Sequence, residues 1–335
     1  AQDNGTQLFA NKNNSISRSH DISGGDGAAS MFSQNLNKRY YVTNYVYNKY
    51  VDAYDFNTNQ VFQINSESES NGDFITVQAL DSKLGVIYSN YSNSGNYEIA
   101  AYYGWDEFLE ADRNTNASRN ILKSSQMLSN VSALTVSPFE TDTSTLMVGL
   151  ENGDVFRVEN ANTNAAKWTN ISGDEFLGSV SDIEFGINEN EIFVTFHNYA
   201  VKNIFYSSDA GKTWSNKEGD LPDLPVRTIL QNPIVLSEVI VGTDLGVWYT
   251  KNFKDESPNW FQGFNGMSDV RVTDLDLRDD YAVFAASYGR GVFSSYFSSN
   301  GPLLQLNSPE SNIKIGQEEK GIFKTRYIQF RQIIR

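Results

Sequence analysis

The sequence predicts an all-β protein, a β-propeller built of four-stranded antiparallel blades. Trp168, Trp214 and Trp260 recur at intervals of 46 residues, and each follows a series of short alternating apolar segments. The 335 residues include 36 Asn and 36 Ser, which favour turns and strands over helices. A repeat of about 46 residues with three or four short strands has the size of one propeller blade.

The predicted blades follow one another along the chain. Two units with a weaker pattern come first, with strands expected at 28–33, 40–44, 51–56 and 61–64, then at 74–80, 86–90 and 97–103. Four clearer units follow, with first strands expected at 131–136, 180–185, 226–230 and 270–275 and second strands at 146–149, 192–196, 239–242 and 282–286. Glycine-containing hairpin turns at 151–154, 243–246 and 288–291 join later strands, since glycine takes the positive φ of tight turns. We therefore count about six blades.

The phase of the repeat divides the chain into three parts. Residues 2–9 match the hairpin between the second and third strands of later units, so we expect 1–19 to be the remainder of a truncated blade. Residues 20–298 hold the blades. Period-two alternation at 313–315 and 323–328 predicts that 299–335 form a linker and the start of a following β module. We therefore expect this chain to be part of a larger propeller, with further blades upstream.

Composition and charge exclude several classes of function. The chain has no Cys, which excludes a thiol nucleophile and a disulfide framework, and only two His. Its net charge of −15 disfavours nucleic acid as a partner, because such binding needs clustered cations. Residues 312–335 carry six basic and two acidic residues, which leaves 1–311 with 20 basic and 39 acidic residues. No apolar run is long enough to predict a membrane span.

One turn carries a specific motif, S-S-D-A-G-K-T-W at 207–214. It resembles the Asp-box, S-x-D-x-G-x-T-W, with Ser207, Asp209, Gly211, Thr213 and Trp214 at the fixed positions. The chain up to about residue 297 is similar to the BNR-repeat propellers of sialidase and sortilin type, and in particular to secreted propeller proteins of gliding bacteria that use type IX secretion. It also bears a distant resemblance to xyloglucan-hydrolysing tandem propellers.

This resemblance implies structural roles for the motif and an extracellular location for the protein. Asp209 is expected to accept backbone N–H groups across the turn, Gly211 to take a positive φ, and Trp214 to pack between sheets. The protein is expected to be secreted or at the cell surface, with a glycan or cell-surface protein as partner and with the secretion machinery reached through a missing C-terminal domain. The Arg-Ile-Pro phrase of sialidases does not occur, so sialidase activity is not expected.

The repeat also predicts which loops share the functional rim. Loops between strands two and three lie at the same rim as those joining successive blades, and ligand sites gather where loops converge over a channel. We expect the rim to bind ligand through six polar residues, namely Asn4, Asn152, His197, Asp244, Tyr288 and Arg290. For His197 the alternative is an ordinary loop residue, and for Arg290 an ion pair with a neighbouring blade.

Two interpretations of function follow from these residues. The first is a recognition or scaffold module for glycan or protein ligands. The alternative is a glycoside hydrolase that uses Asp3 and Asp26 as its carboxylate pair, which would need the carboxyls about 5 to 5.5 Å apart for retention or roughly 6.5 to 9.5 Å apart for inversion. Both aspartates also suit turns that bond their own backbone. We expect no cofactor, although residues 55–59 alternate oxygen ligands and are a candidate structural calcium loop.

Overall fold

The computed structural model describes residues 3–9, 19–35, 37–58, 60–65, 67, 71–105, 117–139, 142–263, 266–267 and 269–300. Residues 301–335, which make up nearly all of the expected linker and β module, lie outside the described residues. The described part is all-β and has 25 strands. They are β1 (Thr6–Leu8), β2 (His20–Ser23), β3 (Gly27–Phe32), β4 (Tyr40–Tyr45), β5 (Val51–Asp55), β6 (Val61–Asn65), β7 (Gln78–Asp81), β8 (Val86–Asn90), β9 (Ile99–Tyr103), β10 (Ser118–Leu122), β11 (Val131–Val136), β12 (Leu146–Leu150), β13 (Val155–Glu159), β14 (Lys167–Asn170), β15 (Val180–Phe185), β16 (Ile192–Phe196), β17 (Ile204–Ser207), β18 (Ser215–Asn216), β19 (Val226–Gln231), β20 (Val239–Thr243), β21 (Gly246–Thr250), β22 (Phe261–Gly263), β23 (Val272–Leu277), β24 (Ala282–Ser287) and β25 (Gly291–Tyr296).

These strands form six blades, which confirms the predicted propeller. Blades one to five are four-stranded sheets in sequence order, namely β3–β6, β7–β10, β11–β14, β15–β18 and β19–β22, and blade six is β23–β25. Every pairing within the blades is antiparallel. A separate two-stranded sheet, formed by β1 and β2, precedes blade one. It pairs a strand of the segment 1–19, the expected truncated blade, with the residues that follow that segment.

Two first strands begin later than the sequence predicted, because nearby backbone groups are used in turns. The strand expected at 74–80 begins at Gln78, since the Thr76 hydroxyl donates to the Asp73 carbonyl and closes a turn. The strand expected at 270–275 begins at Val272, since the carbonyls of Val270 and Arg271 accept bonds from neighbouring turns.

The first strand of every blade faces one central channel. Residues from β3, β7, β11, β15, β19 and β23 together line a cavity of about 250 Å³. Because six separate sheets each contribute their first strand to the same cavity, the blades are arranged around a common axis.

Apolar clusters between neighbouring blades hold the sheets face to face. Five such clusters join blades one and two, two and three, three and four, four and five, and five and six. Fully buried side chains such as Ile87, Phe156, Val194 and Val241 form their centres. Each large apolar side chain buried in this way contributes roughly 1.5 to 3 kcal/mol. Within the described residues no cluster of this kind joins blade six to blade one.

The described residues contain no helix long and apolar enough to cross a membrane. The two described helices are single 3₁₀ turns, Val46–Asn48 and Ser298–Asn300.

Candidate functional site

A repeated backbone hydrogen bond brings two kinds of loop to the same rim. In four blades, the first residue of the turn between strands two and three donates to the loop that precedes strand one of that blade. The bonds are Glu151 N to Asn130 O (3.0 Å), His197 N to Ser179 O (3.4 Å), Asp244 N to Pro225 O (3.3 Å) and Tyr288 N to Arg271 O (2.8 Å). Polar residues on these turns therefore lie beside the residues that lead into the innermost strands.

The opposite rim is fixed by a second repeated bond. The turn between strands three and four donates to the turn between strands one and two of the same blade, through Ala161 N to Ser144 O (2.9 Å), Ala210 N to Asn190 O (2.9 Å) and Phe253 N to Ser237 O (3.0 Å). The Asp-box-like turn is therefore on the rim opposite to His197, Asp244 and Tyr288.

Five residues of blades four, five and six meet on the first rim, and we call them the arginine cluster: His197, Arg227, Asp244, Arg271 and Tyr288. Arg227 Nε donates to Asp244 Oδ1 at 2.6 Å, and Arg271 Nε lies 3.1 Å from the same oxygen. The Arg271 guanidinium lies over the ring of Tyr288, 5.6 Å from its centroid.

The arginine cluster has two positive charges and one negative charge on an otherwise acidic protein. The Asp244 carboxylate contacts the Nε atom of each guanidinium. The two terminal amino groups of Arg227 and the two of Arg271 form no hydrogen bond with another described residue. Tyr288 is 69% exposed and the Arg271 side chain 44% exposed, whereas the Asp244 side chain is 16% exposed. The carboxylate is therefore partly enclosed, Arg271 and Tyr288 face solvent, and the Arg227 side chain is less exposed, at 24%.

His197 is the neutral member of the arginine cluster. Burial lowers the pKa of its imidazole below the ordinary value of 6.5, and the charges of Arg227 and Arg271 lower that pKa further, against an opposing effect of Asp244. Its Nδ1 is buried without a hydrogen-bond partner within the described part of the chain. An uncharged His197 leaves Asp244 as the counter-ion of both guanidiniums.

The arginine cluster lies at the mouth of the central channel. Arg227 follows the first residue of β19, and its side chain contributes to the wall of the channel. A ligand held by Arg271 and Tyr288 at the rim would therefore extend over the channel opening.

The other predicted rim residues lie in separate turns. Asn152 donates to Asp154 Oδ2 (2.8 Å) and accepts from Asp154 N (3.2 Å), which closes the turn between β12 and β13. The Asn4 carbonyl accepts a bond from the Gln7 side chain (2.7 Å). Arg290 is exposed in the turn that carries Tyr288 and forms no ion pair with the residues that the structure describes.

The structure brings the two candidate catalytic aspartates together from two segments of the chain, one before β1 and one between β2 and β3. Asp26 Oδ1 accepts a hydrogen bond from the backbone N–H of Asp3 at 2.7 Å, and Asp3 has a φ of 59°. This bond joins segments 23 residues apart, and so differs from the local turn bond that the structural alternative expected. Asp3 and its neighbours also line a surface cleft of about 370 Å³.

The stretch that resembles an Asp-box forms a closely hydrogen-bonded turn. Asp209 accepts from the backbone N–H of Thr213 (2.9 Å) and from its hydroxyl (2.7 Å). The hydrogen bonds from Thr213 lower the pKa of Asp209 to about 2. Gly211 has a φ of 85°, and a Cβ there would lie 2.7 Å from Ile171 Cδ1.

Trp214, the last residue of this stretch, anchors the turn to the previous blade. Its indole Nε1 donates to the Ile171 carbonyl at 2.7 Å. The half-buried ring packs against Phe176, with ring centroids 5.0 Å apart. The Ser207 hydroxyl accepts from Gly211 N (2.9 Å) and holds the start of the turn.

The candidate calcium loop also forms a turn. Asp55 Oδ1 accepts from Asn57 N (2.6 Å) and Thr58 N (2.8 Å), while Asn59 lies outside the described residues. Among the residues that the structure describes, no group of three or more His, Asp or Glu side chains is arranged to hold a metal ion.

Sequence reasoning missed both arginines of the cluster. Strand one begins Val-Ser, Val-Ser, Val-Arg and Val-Thr in blades three to six, so Arg227 replaces a small hydroxyl residue at an equivalent position. That substitution within the repeat was the available signal for Arg227. Arg271 precedes its strand, and no feature of the repeat marked it.

The comparisons with known proteins agree with the fold. No protein-family model matches the chain, and no curated protein matches its sequence. Solved structures do match. Two are structures of the extracellular domain of a B. thetaiotaomicron protein, described in one as a one component system and in the other as a hybrid two component system.

Their likeness to this chain is structural and not close in sequence. The TM-scores are 0.57 and 0.56, each at 9% identity, and each match covers 82% of this chain and 33% of the bacterial one. A chain of the mitotic checkpoint complex is similar with a TM-score of 0.57 and 11% identity, covering 82% of this chain and 77% of its own. The chain thus spans about a third of the bacterial domains that it matches, and the likeness indicates a shared fold alone.

Proposed function

We propose that this protein is a secreted or cell-surface recognition module that binds glycan or protein ligands on the rim carrying the arginine cluster. Of these two ligand classes, an acidic glycan fits the cluster best. The single observation that carries the proposal is the pair of guanidiniums, Arg227 and Arg271, which share Asp244 through Nε and whose terminal amino groups form no hydrogen bond with another described residue.

The chemistry of the arginine cluster matches a saccharide with carboxylate or sulfate groups. A guanidinium donates two parallel hydrogen bonds to such an anion, and bonds of this kind are about twice as strong as neutral ones. The exposed Tyr288 ring beside Arg271 supplies an apolar face against which a sugar ring packs. Because the net charge of −15 opposes anions in general, the local attraction for an acidic saccharide would have to come from the two guanidiniums.

An extracellular location is part of the proposal. The bacterial structures with the same fold are described as extracellular domains, which supports this location. The resemblance of residues 207–214 to the Asp-box of secreted propellers supports it further. Export by type IX secretion remains a proposal that rests on that resemblance.

A glycan array with acidic and neutral saccharides tests the proposed function. We expect acidic saccharides to be retained by the wild-type protein and lost by Arg271→Gln. The matched control is Arg278→Gln, because Arg278 pairs with Asp280 in the turn between β23 and β24, on the opposite rim. Equal retention of acidic and neutral saccharides, or equal retention by Arg271→Gln and the wild type, would refute the acidic-glycan proposal.

A second candidate function is hydrolysis of a glycan by Asp3 and Asp26. The observation in its favour is the hydrogen bond that brings Asp26 to Asp3, a residue that lines a surface cleft. Asp26→Asn separates catalysis from structure, because the amide oxygen can still accept the bond from Asp3 N. We expect release of reducing sugar by the wild type and none by Asp26→Asn, with Asp154→Asn as the control. Equal rates in all three proteins would end the hydrolase hypothesis.

A further inference from the structure

An apolar groove of about 240 Å³ lies between blades five and six, away from the arginine cluster. One wall is formed by Val247 and Tyr249 of β21, and the other by Val283 and Phe293 of β24 and β25. Such a groove on a sheet edge is a place where an added strand can bury an apolar side chain.

In blade five the corresponding position holds the indole of Trp260. Trp260 follows strand three, packs edge-on against Phe253 with ring centroids 6.4 Å apart, and donates from Nε1 to the carbonyl of Lys217 (3.2 Å). Lys217 directly follows strand four of the previous blade. In blade six, Phe297 follows strand three and is buried beside the groove, as Phe253 is in blade five.

Trp214 of blade four has the same arrangement. It donates to Ile171, the first residue after strand four of blade three. For blade six, the matching side of the groove is formed by Gln262 and Gly263 at the end of β22. The groove is therefore the blade-six counterpart of a site that holds an indole in blades four and five.

The third strand of blade six also offers a free edge. In blades one to five, strand three is paired on both sides, whereas β25 is paired only with β24 within the described residues. An unpaired strand edge presents a row of N–H and C=O groups that another strand can satisfy.

The chain leaves blade six at the lip of this groove. Glu238 Oε1 accepts hydrogen bonds from the backbone N–H (2.9 Å) and hydroxyl (2.6 Å) of Ser298, and both residues belong to the wall of the groove. Glu238 is 1% exposed. These bonds hold the backbone at Ser298, directly after blade six, against the wall of the groove.

We propose that residues 303–306 of this chain add to β25 as the fourth strand of blade six and bury a leucine in the groove. Trp168 follows the end of β13 at Glu159 by 9 residues, Trp214 follows Ser207 by 7, and Trp260 follows Thr250 by 10. The same spacing after Tyr296, the end of β25, places the counterpart of these indoles, at or directly before the start of strand four, within 303–306, which contains Leu303, Leu304 and Leu306. Residues 303–306 would then belong to blade six and not to the linker expected within 299–335.

Disulfide trapping tests the proposal directly, since the full chain has no Cys of its own. Ser294→Cys on β25 is combined in turn with a single Cys substitution at each of positions 303, 304, 305 and 306. A disulfide requires Cα atoms within about 4.4 to 6.8 Å, so we expect efficient cross-linking in at least one pair. The control combines the same four substitutions with Asn188→Cys, in an exposed turn of blade four. Cross-linking in none of the Ser294 pairs, or equal cross-linking in the control pairs, would overturn the proposal.

Amide hydrogen exchange of residues 291–296 provides a second readout that needs no cross-link. We expect the double variant Leu303→Asp, Leu304→Asp to exchange these amides at least about tenfold faster than the wild type, because the added strand would be lost. The control is Asn307→Asp, Ser308→Asp, which we expect to exchange like the wild type. Equal exchange in the leucine variant and the wild type would contradict the fourth strand.

Discussion

Arg227 Nε donates to Asp244 Oδ1 at 2.6 Å, and this ion pair joins the innermost strand of blade five to the turn between its second and third strands. Arg271, at the entry to blade six, lies against the same carboxylate. Arg227 lies in β19 and Arg271 directly precedes β23, and the shared carboxylate holds both side chains through Nε without a ligand. Preorganised groups of this kind lose little conformational entropy on binding.

The indole bonds between blades predict a measurable loss of stability. Trp214→Phe removes the hydrogen bond to the Ile171 carbonyl and part of the apolar contact with Phe176. We expect the free energy of unfolding to fall by about 1 to 3 kcal/mol, measured by urea denaturation.

The matched control for this substitution is Trp168→Phe. Trp168 packs against Phe156, but its indole donates no hydrogen bond within the described part of the protein. We expect the control to lose less stability than Trp214→Phe. An equal loss in the two variants would show that the indole bond to the previous blade contributes nothing.

Close contact between blades five and six predicts that a methyl group at Gly242 is destabilising. A Cβ there would lie 2.6 Å from Val272 Cγ1 and 2.7 Å from Thr228 Cγ2. We expect Gly242→Ala to lower the free energy of unfolding by roughly 1 to 3 kcal/mol. The control is Gly24→Ala, where a Cβ meets nothing within 4 Å. If thermal unfolding gave the same midpoint for both variants, the two sheets would not be packed as described.

The lowered pKa of His197 predicts that acid destabilises the protein. The unfolded chain holds His197 at its ordinary pKa of about 6.5, so below that pH it binds more protons than the folded chain does. The stabilising contribution is therefore complete above pH 6.5 and is lost as pH falls toward the pKa of the folded state. We expect a slope of at most about 1.4 kcal/mol per pH unit from this one proton.

Replacing His197 isolates this contribution. In His197→Asn the unfolding free energy should fall less between pH 7 and pH 5 than in the wild type. The same substitution at an exposed position, His20→Asn, is measured beside it. Parallel slopes for His197→Asn and the wild type would contradict the burial of this imidazole.

The periodic pattern of the sequence was sufficient to predict the blades. Strands such as β11, β15 and β16 lie where the alternating apolar residues placed them, because alternate side chains must be buried between sheets. Trp168, Trp214 and Trp260 lie at or directly before the fourth strand of their blades, so their spacing marked the fourth strands. The late start of β7 comes from a local turn closed by the Thr76 hydroxyl, which the apolar pattern does not mark, and that of β23 depends on hydrogen bonds from distant turns.

The candidate site was only partly accessible from the sequence. The phase of the repeat placed His197, Asp244 and Tyr288 on one rim, and they lie together in the structure. Their assembly into one cluster depends on Arg227 and Arg271, which come from neighbouring blades. Which charged side chains face each other across a blade junction depends on the rotation between sheets, and a period in the sequence does not contain that information.

Isothermal titration calorimetry with chondroitin sulfate oligosaccharides, which carry both carboxylate and sulfate groups, tests the arginine cluster most directly. We expect the wild type to bind and Arg271→Gln to bind at least about tenfold more weakly, the loss of one charge-assisted hydrogen bond. Arg278→Gln on the opposite rim should bind within about twofold of the wild type. Equal affinity of Arg271→Gln and the wild type would contradict recognition of acidic ligands by this cluster.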